Sequence, residues 1–458
     1  MMQTTETEAI RQAALKYQWF HNKDWTQMAE NGEPLVMIEG EGIRVTDSSG
    51  QTWVDVCGGY YSVNVGYGRH EISYAVYEQL KRVTFFPNGT TTVPVIELCQ
   101  KIADMSPGSL SRTYLNCGGS EANETAINIT RAYHKRLGQS GKYKVISRRN
   151  SYHGTLGQTM WMGESSSNHG QSDFEPRYPG MLHVPNPNPY RCELGGETAS
   201  ECAVRCAEAV EKLILEEGPE TVAAFIAEPI AQPTGSAVPG NEYWPMIRNI
   251  CDQYNVILIV DEVITGFGRT GKMFGMDHWN IVPDIMTIGK GMSSSYLPVS
   301  GTVVREEIAD RFGGMGNQLN MAVTHSGHPV TAVAALKNIE IIESEGLVEN
   351  SAEVGGYFKH QLQEMANDHP SMGNVDGVGL FLGIDLVHDK RGKSSFANQS
   401  VVCDNLTEKF RSQHLILHAT RGKVYLGPPL CVTRGDIDEI SGKIDSAIGQ
   451  WERELGIG

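Results

Sequence analysis

Two short apolar runs, each followed at once by a charged residue, constrain the fold of this chain more than any other feature. The first spans Val256 to Val260 and leads into Asp261. The second spans Asp284 to Ile288 and leads into Lys290, which stands between two glycines. Such runs are typical of strands buried on both faces of a parallel sheet. Because open α/β sheets bind ligands at the carboxyl ends of their strands, Asp261 and Lys290 are predicted to share one ligand-binding edge.

Strand-like and helix-like stretches alternate through the middle of the chain, from about residue 65 to residue 336. Strand-like runs lie at Lys144 to Ile146, Val222 to Ala227 and Val256 to Val260. This alternation predicts a mostly parallel, doubly wound sheet. We therefore expect an α/β fold in which residues 65–336 form the large domain.

The two ends of the chain predict a second, smaller domain. Short alternating runs at residues 35–38 and 42–45, bounded by turn signals, indicate a small antiparallel sheet. From Ile339 onward, long amphipathic helices mix with short strands such as residues 380–386. We expect residues 1–64 and 337–458 to form together a small α+β domain.

Composition and charge narrow the class of protein. The formal net charge of −16 disfavours nucleic acid or an anionic membrane as partner, since both attract basic surfaces. No apolar stretch approaches the length of a membrane span, and the N-terminal residues are polar and acidic, unlike a signal peptide. Nine scattered cysteines fit a reducing compartment. We expect a cytoplasmic protein.

One group of cysteines raises the question of a metal site. Cys202 and Cys206 are spaced one helical turn apart, with Cys192 and His183 upstream. The spacing is looser than the paired CxxC of ordinary zinc sites. We therefore expect thiols on a surface excursion and no metal site.

Residues 116–123, NCGGSEAN, predict a glycine turn that opens into a helix. The helix is indicated by Ala122, Ala126, Ile129 and Tyr133, spaced four, three and four residues apart. The first N–H groups of such a helix have no intrahelical acceptor and bind phosphate well. An ordinary helix capped by a serine would explain the same residues.

A lysine and a carboxylate at one sheet edge suit pyridoxal phosphate, because the lysine forms a Schiff base and the acid keeps the ring nitrogen protonated. The chain also resembles the class III aminotransferases, which are pyridoxal-phosphate enzymes of fold type I, and its cysteine-containing insertion resembles their taurine–pyruvate branch. The matching segments are DEVITGFGRTG (261–271), Pro283-Asp284, Gly289-Lys290-Gly291, GGSEANE (118–124), YHG (152–154) and THSGHP (324–329).

The resemblance implies roles for individual residues around the cofactor. Lys290 is the Schiff-base lysine, Asp261 the partner of the ring nitrogen, and Val263 packs on one face of the ring. The remaining implied contacts are the phosphate-binding Gly119 and Ser120, the stacking Tyr152 with its neighbour His153, the polar Glu228 near the catalytic base, and Thr324, which reaches the phosphate of a neighbouring subunit. A homodimer with active sites at its interface follows from the last of these.

The substrate residues follow from the same resemblance. Tyr60, Tyr61, Phe85 and Phe86 occupy regions that form aromatic walls in ω-aminotransferases, which favours a terminal amine donor such as taurine or β-alanine. An acceptor keto acid, pyruvate or 2-oxoglutarate, needs a cation. Where relatives carry a mobile arginine this chain has His418, with Arg421 three residues later.

Two reactions remain open from the sequence. The first is ping-pong transfer of an amino group from amine to keto acid. The alternative is a lyase or aminomutase on the same scaffold, for example one that releases ammonia from a small amino-phosphonate or amino-phosphate, because fold type alone does not fix reaction type.

Overall fold

The computed structural model describes residues 4–87, 89–163 and 171–457. The strands are β1 (Met37–Glu41), β2 (Arg44–Asp47), β3 (Thr52–Asp55), β4 (Leu110–Asn116), β5 (Lys144–Arg148), β6 (Met181–Val184), β7 (Val222–Ala227), β8 (Ile257–Asp261), β9 (Ile285–Ile288), β10 (Ser300–Arg305), β11 (Met372–Val378), β12 (Phe381–Leu386), β13 (Leu415–Ile416), β14 (Ala419–Thr420) and β15 (Lys423–Leu426). The helices are α1 (Thr4–Tyr17), α2 (Trp25–Glu30), α3 (Gly58–Tyr61), α4 (His70–Leu80), α5 (Val93–Met105), α6 (Gly119–Arg136), α7 (Thr159–Met162), α8 (Ala199–Glu217), α9 (Tyr243–Gln253), α10 (Glu306–Ala309), α11 (Pro329–Ser344), α12 (Leu347–Asp368), α13 (Gln399–Ser412) and α14 (Arg434–Leu455).

A seven-stranded sheet carries the ligand-binding edge. Its strand order is β4-β10-β9-β8-β7-β5-β6. The pairs between β6, β5, β7, β8 and β9 are all parallel, whereas β10 runs antiparallel to both β9 and β4. The prediction of a mostly parallel sheet in an α/β fold is therefore confirmed.

Helices cover both faces of this sheet, so its central strands are buried on both sides. Along β7, Ala224 and Ile226 pack into the apolar core that contains α6. Phe225 and Ala227 point the other way, into the core that contains α8 and α9. Because every residue of β7 is buried, the strand appears in the sequence as a continuous apolar run.

Two smaller sheets flank the large one along the chain. The order β1-β2-β3-β13 forms one, and β11-β12-β15-β14 the other. β1, β2 and β3 pair antiparallel, as the sequence predicted, and β13 adds to β3 in parallel. This last pair joins the N-terminal and C-terminal segments; the proposed division at residues 64 and 336 stays a prediction.

Two of the three cysteines expected on a surface excursion do not lie there. Cys202 and Cys206 are fully buried on the inner face of α8, and Cys192 is half-buried. Both helical thiols belong to the apolar core beneath the large sheet, because a small polarisable side chain packs well there.

Among the residues described, no helix is both long and apolar enough to cross a membrane.

Candidate active site

Four neighbouring parallel strands bring the predicted polar residues to one edge of the sheet. Asp261 ends β8, Glu228 follows β7, and Lys290 lies two residues beyond β9. His153 lies in the loop after β5. Since β5, β7, β8 and β9 are adjacent in the sheet, their carboxyl ends meet, as predicted for an α/β ligand site.

Three donors hold the buried carboxylate of Asp261. Asn123 Nδ2 and His153 Nδ1 each donate to Oδ2 at 2.8 Å, and the Val263 amide donates to Oδ1 at 3.0 Å. Thr287 Oγ1 donates to the Asn123 side-chain oxygen at 2.8 Å. This bond turns the Asn123 amide group so that its N–H faces the carboxylate, which fixes the direction of Asp261.

His153 links Asp261 to a second buried carboxylate, Glu228. The His153 Nε2 lies 3.7 Å from Glu228 Oε2. Burial opposes a charge on the imidazole, but Glu228 and the hydrogen bond to Asp261 outweigh it and raise the pKa of His153. Arg148 Nη2 donates to Glu228 Oε2 at 3.1 Å and the Tyr152 amide donates to Oε1 at 2.9 Å. The result is a buried chain of four polar side chains, Asp261–His153–Glu228–Arg148.

The amine of Lys290 is close to this chain and is poorly solvated. Burial, with a contribution from the Arg269 charge, lowers the pKa of Lys290 to about 8, although Asp261 acts in the opposite direction. The Lys290 backbone has φ 42°, a left-handed conformation that costs a non-glycine residue energy and is common at functional sites. About a tenth of the amine is therefore neutral at pH 7, far more than for an ordinary lysine, and the neutral amine is the nucleophilic form.

Arg269 is a buried cation, and no carboxylate in the described part of the chain lies at ion-pair distance from it. It donates to the Leu380 carbonyl at 3.1 Å, to Asn64 Oδ1 at 2.8 Å and to the Pro428 carbonyl. Burial lowers the pKa of its guanidinium to about 10. The residue thus connects the active-site stretch to three distant segments of the chain.

The start of α6 forms a concave backbone surface beside Val263. A Cβ on Gly119 would lie 2.9 Å from Val263 Cγ1, whereas a Cβ on Gly118 would meet nothing within 4 Å. A Cβ on Gly154 would collide with Ser120 Oγ. The loop that carries Tyr152 and His153 therefore packs against the start of this helix.

These residues fit a phosphate-bearing aromatic cofactor. The first N–H groups of an 18-residue helix, together with the Ser120 hydroxyl, are suited to a phosphate. Val263, on the loop after Asp261, offers an apolar surface between that helix end and Gly289, whose Cβ position is 3.5 Å from Val263 Cγ1. An acid for a ring nitrogen and a lysine amine complete the donor set that pyridoxal phosphate needs.

The two adjacent tyrosines predicted as substrate walls point in different directions. Tyr60 is 70% exposed, and its ring stacks against His418 with the centroids 6.4 Å apart. Tyr61 is only 5% exposed and packs edge-on against Phe381 in a small apolar cluster. Tyr60 is thus the exposed and Tyr61 the buried member of the pair, and their roles as substrate walls stay predictions. Burial lowers the pKa of His418 to about 4, with Lys23 and Arg411 adding to the effect.

The other predicted substrate residues lie on a second exposed surface. Phe85 contacts the rings of His325 and His328, with centroids 5.8 and 5.4 Å apart. Phe86 is exposed, and so is Thr324. Arg421 lies in the turn between β14 and β15, half-buried, with φ 53°.

Three residues of the network escaped the sequence analysis. Asn123, Arg148 and Arg269 all lie inside or next to segments that the analysis singled out, yet their partners are far away in the sequence. Asn123 is 138 residues from Asp261, and Arg148 is 80 residues from Glu228. The only available signal was their position in the GGSEANE and DEVITGFGRTG segments or at the end of a strand.

Comparison with known proteins agrees with this geometry. A family model described as aminotransferase class-III matches residues 27–448. The putrescine–pyruvate aminotransferase of Pseudomonas aeruginosa is 39% identical over 91% of this chain and 91% of its own length. The taurine–pyruvate aminotransferase of Bilophila wadsworthia is 36% identical over 96% of this chain and 97% of its own. The crystal structure of an ω-transaminase from Pseudomonas jessenii in complex with PMP has a TM-score of 0.93 at 34% identity, covering 98% of this chain and 99% of that one.

Proposed function

The chain belongs to the class III aminotransferases, which are pyridoxal-phosphate-dependent enzymes, and from this premise we propose that it transfers the amino group of a terminal amine to pyruvate or 2-oxoglutarate. The single observation that carries the choice of donor is the environment of the cations around Lys290. The fold, the cofactor and the transaminase class do not depend on that choice.

We propose that the described network holds the cofactor. When bound, pyridoxal phosphate supplies an aldehyde that condenses with amines and a ring that withdraws electrons. The N-terminal amides of α6 at Gly119 and Ser120 would hold its phosphate, Val263 and Tyr152 would cover the ring faces, and Asp261 would hold a proton on the ring nitrogen. The His153 Nδ1 bond to Asp261, at 2.8 Å, keeps that carboxylate in place.

Lys290 is the residue that we expect to move the proton. Because burial lowers its pKa to about 8, about a tenth of its amine is neutral at pH 7, and the protonated and neutral forms are both populated there. A base with a pKa near the working pH can both accept a proton from the substrate carbon and return it. Its position beside Asp261 places it at the same sheet edge as the ring-binding residues.

The proposed class of amine donor follows from the side chains near Lys290 that could pair with a donor carboxylate. An α-amino acid carries a carboxylate beside the reacting amine, and a free guanidinium is its best partner. Arg269 is the buried guanidinium close enough to Lys290 to affect its pKa, but its nitrogens donate to Asn64, Leu380 and Pro428. His418, beside Tyr60, is neutral at neutral pH because its pKa is about 4. This supports a donor without an α-carboxylate.

The acceptor keto acid and the α-amino acid formed from it carry the same carboxylate and still need a cation, and we propose that Arg421 serves both as a movable partner, in place of a fixed cation next to Lys290. Within the described ranges, no carboxylate lies at ion-pair distance from Arg421. Its place in a turn would let the side chain approach or leave a substrate carboxylate. Relatives named for putrescine–pyruvate and taurine–pyruvate transfer support pyruvate as the first acceptor to test.

We also propose that the enzyme is a homodimer. Large apolar side chains are exposed on α4, on α5 and on the loop between them: Tyr74, Tyr77, Leu80, Val83, Phe86, Val93 and Ile96. Exposed apolar patches of this kind mark protein interfaces. Light scattering should give twice the chain mass; a fully active monomer would contradict the proposal.

The lyase hypothesis has no support among these relatives, which are named as aminotransferases.

A donor panel tests the proposed donor class directly. Putrescine, taurine and β-alanine would each be offered with pyruvate, with 2-oxoglutarate and with no acceptor, and L-valine would serve as the matched donor with an α-carboxylate. We expect alanine or glutamate to form in step with loss of a terminal amine. Faster turnover of L-valine than of the terminal amines would refute the donor assignment. A separate variant tests the acceptor site: Arg421→Ala should raise KM for the keto acid and leave the half-reaction with the amine unchanged.

A further inference from the structure

We propose that Cys192, Cys202 and Cys206 form a binding site for a thiophilic metal ion, Zn²⁺ or Cu⁺, separate from the catalytic edge of the sheet. Their three sulfur atoms all lie within 4.8 Å of one another. Within residues 4–87, 89–163 and 171–457, this is the one group of three histidine, cysteine or acidic side chains whose ligand atoms meet so closely.

The distances are close to those of a bound ion. A metal–sulfur bond of about 2.3 Å in a tetrahedral site separates neighbouring sulfur atoms by about 3.8 Å. Three thiols that converge to within 4.8 Å reach this arrangement by small side-chain rotations. Binding would release the thiol protons and would require no oxidant.

Two parts of the chain hold the sulfur atoms together before any ion binds. Cys202 and Cys206 lie four residues apart on α8 and point into the protein. The turn that carries Cys192 lies over the start of this helix, where a Cβ on Gly196 would come within 2.6 Å of the Cys202 amide nitrogen. Arg205 Nη1 donates to the Leu194 carbonyl at 2.9 Å and fixes the turn on the helix.

The site is open to solvent on one side. Cys192 is half-buried and lines a cleft of about 450 Å³, together with Tyr190, Gly195, Glu197 and Lys393. An ion can therefore approach Cys192 from the cleft, with the buried Cys202 and Cys206 thiols within 4.8 Å of its sulfur. The two helical cysteines lie inside the apolar core, whereas Cys192 is only partly buried against it and lies at the rim of the cleft.

The type of ion follows from the ligands. Thiolates are soft ligands and select Zn²⁺ and Cu⁺ over Mg²⁺ or Ca²⁺. Since the turn at residues 192–198 is joined to α8 only by hydrogen bonds and packing, an ion there would fasten it. Binding to the folded state alone should raise the melting temperature.

The test uses the reduced, metal-free holoenzyme. Zn²⁺ and Cu⁺ are titrated separately, and Cd²⁺ serves as a probe because its thiolate complexes absorb in the ultraviolet. We expect one ion per chain, a thiolate charge-transfer band and a higher melting temperature. Cys192→Ser and Cys206→Ser should weaken binding by about 100-fold or more, since even outer-shell partners of a metal are worth ~10–100-fold.

The matched control is Cys251→Ser. Cys251 is fully buried in the same apolar core but lies outside the group of three, so its loss should leave metal affinity unchanged. Cys206 is buried, so Cys206→Ser could disturb folding. Cys192→Ser changes a side chain at the rim and avoids this problem. The absorbance of the bound cofactor reports whether each variant is folded. The proposal is overturned by a missing charge-transfer band or by equal affinity in Cys192→Ser.

Discussion

Replacing Lys290 by methionine should stabilise the cofactor-free protein, even though it removes the residue on which we expect activity to depend. Burial lowers the pKa of the Lys290 amine from 10.5 to about 8. This gap corresponds to about 3 kcal/mol, because one pKa unit is about 1.4 kcal/mol. Methionine has a similar length, carries no charge and packs in irregular space. The variant therefore avoids the cost of holding a poorly solvated ammonium group.

The pH dependence of this effect has a definite sign. Below pH 8, the folded and unfolded states both hold the proton, so the cost to the wild-type protein is fully present. Between about pH 8 and 10.5, the unfolded state binds more protons than the folded one, and the wild-type stability rises with pH. The advantage of Lys290→Met in the free energy of unfolding should fall from about 3 kcal/mol at pH 7 to about 2 kcal/mol at pH 9.

Urea unfolding of the apo proteins at pH 7 and pH 9, at one protein concentration, measures this difference. Lys142→Met is the matched control, because burial also lowers the pKa of Lys142 to about 8. The Lys142 ammonium donates to the carbonyls of Val222, Tyr254 and Asn255 at 3.0, 3.1 and 2.9 Å. Its loss leaves three oxygens unpaired at a cost of about 1–3 kcal/mol each, which offsets or exceeds the gain from removing the ammonium, so Lys142→Met should not be more stable than the wild type. A Lys290→Met variant less stable than the wild type at pH 7, or a gap that does not change with pH, would refute the reasoning.

Three further predictions concern the cofactor edge. Asp261→Asn keeps the shape but removes the charge, and kcat should fall about 100-fold or more; a near-normal kcat in steady-state assays would contradict the assigned role. Gly119→Ala should weaken cofactor binding in a fluorescence titration by about tenfold through overpacking, and Val263→Ala in the same chain should restore part of it; no recovery would count against a steric cause. Borohydride trapping of a small aldehyde on Lys290 of the apo protein should speed up through pH 8 and then level off; a rate still climbing at pH 10 would show an ordinary lysine.

The strands that carry the site could be predicted because their burial is written into the sequence. β7 coincides with the predicted apolar run, and β8 begins one residue later than expected and includes Asp261. β10, by contrast, was not predicted. Its sequence SGTVVR mixes polar and apolar residues, although all but its last residue are buried.

The side-chain network could be predicted only in part. Asp261 and Lys290 follow directly from the ends of apolar runs. The acceptors of Arg269 are mostly backbone carbonyls. Because every residue has a backbone carbonyl, such a partner cannot be recognised from the sequence. The opposite directions of Tyr60 and Tyr61 arise from a left-handed turn in which both residues have positive φ. Tyrosine rarely adopts this conformation, and the sequence does not predict it.

The backbone carbonyls that accept hydrogen bonds from Arg269 determine when the active site can form during synthesis of the chain. Leu380 and Pro428 leave the ribosome more than a hundred residues after Arg269, whose guanidinium donates to their carbonyls. A nascent chain ending before Leu380 has only the Asn64 side-chain oxygen among the three acceptors of this cation, so burial of the guanidinium is still unfavourable. The catalytic edge should therefore close only when translation is almost complete, and fragments lacking the last segment should be recognised by chaperones rather than by the cofactor.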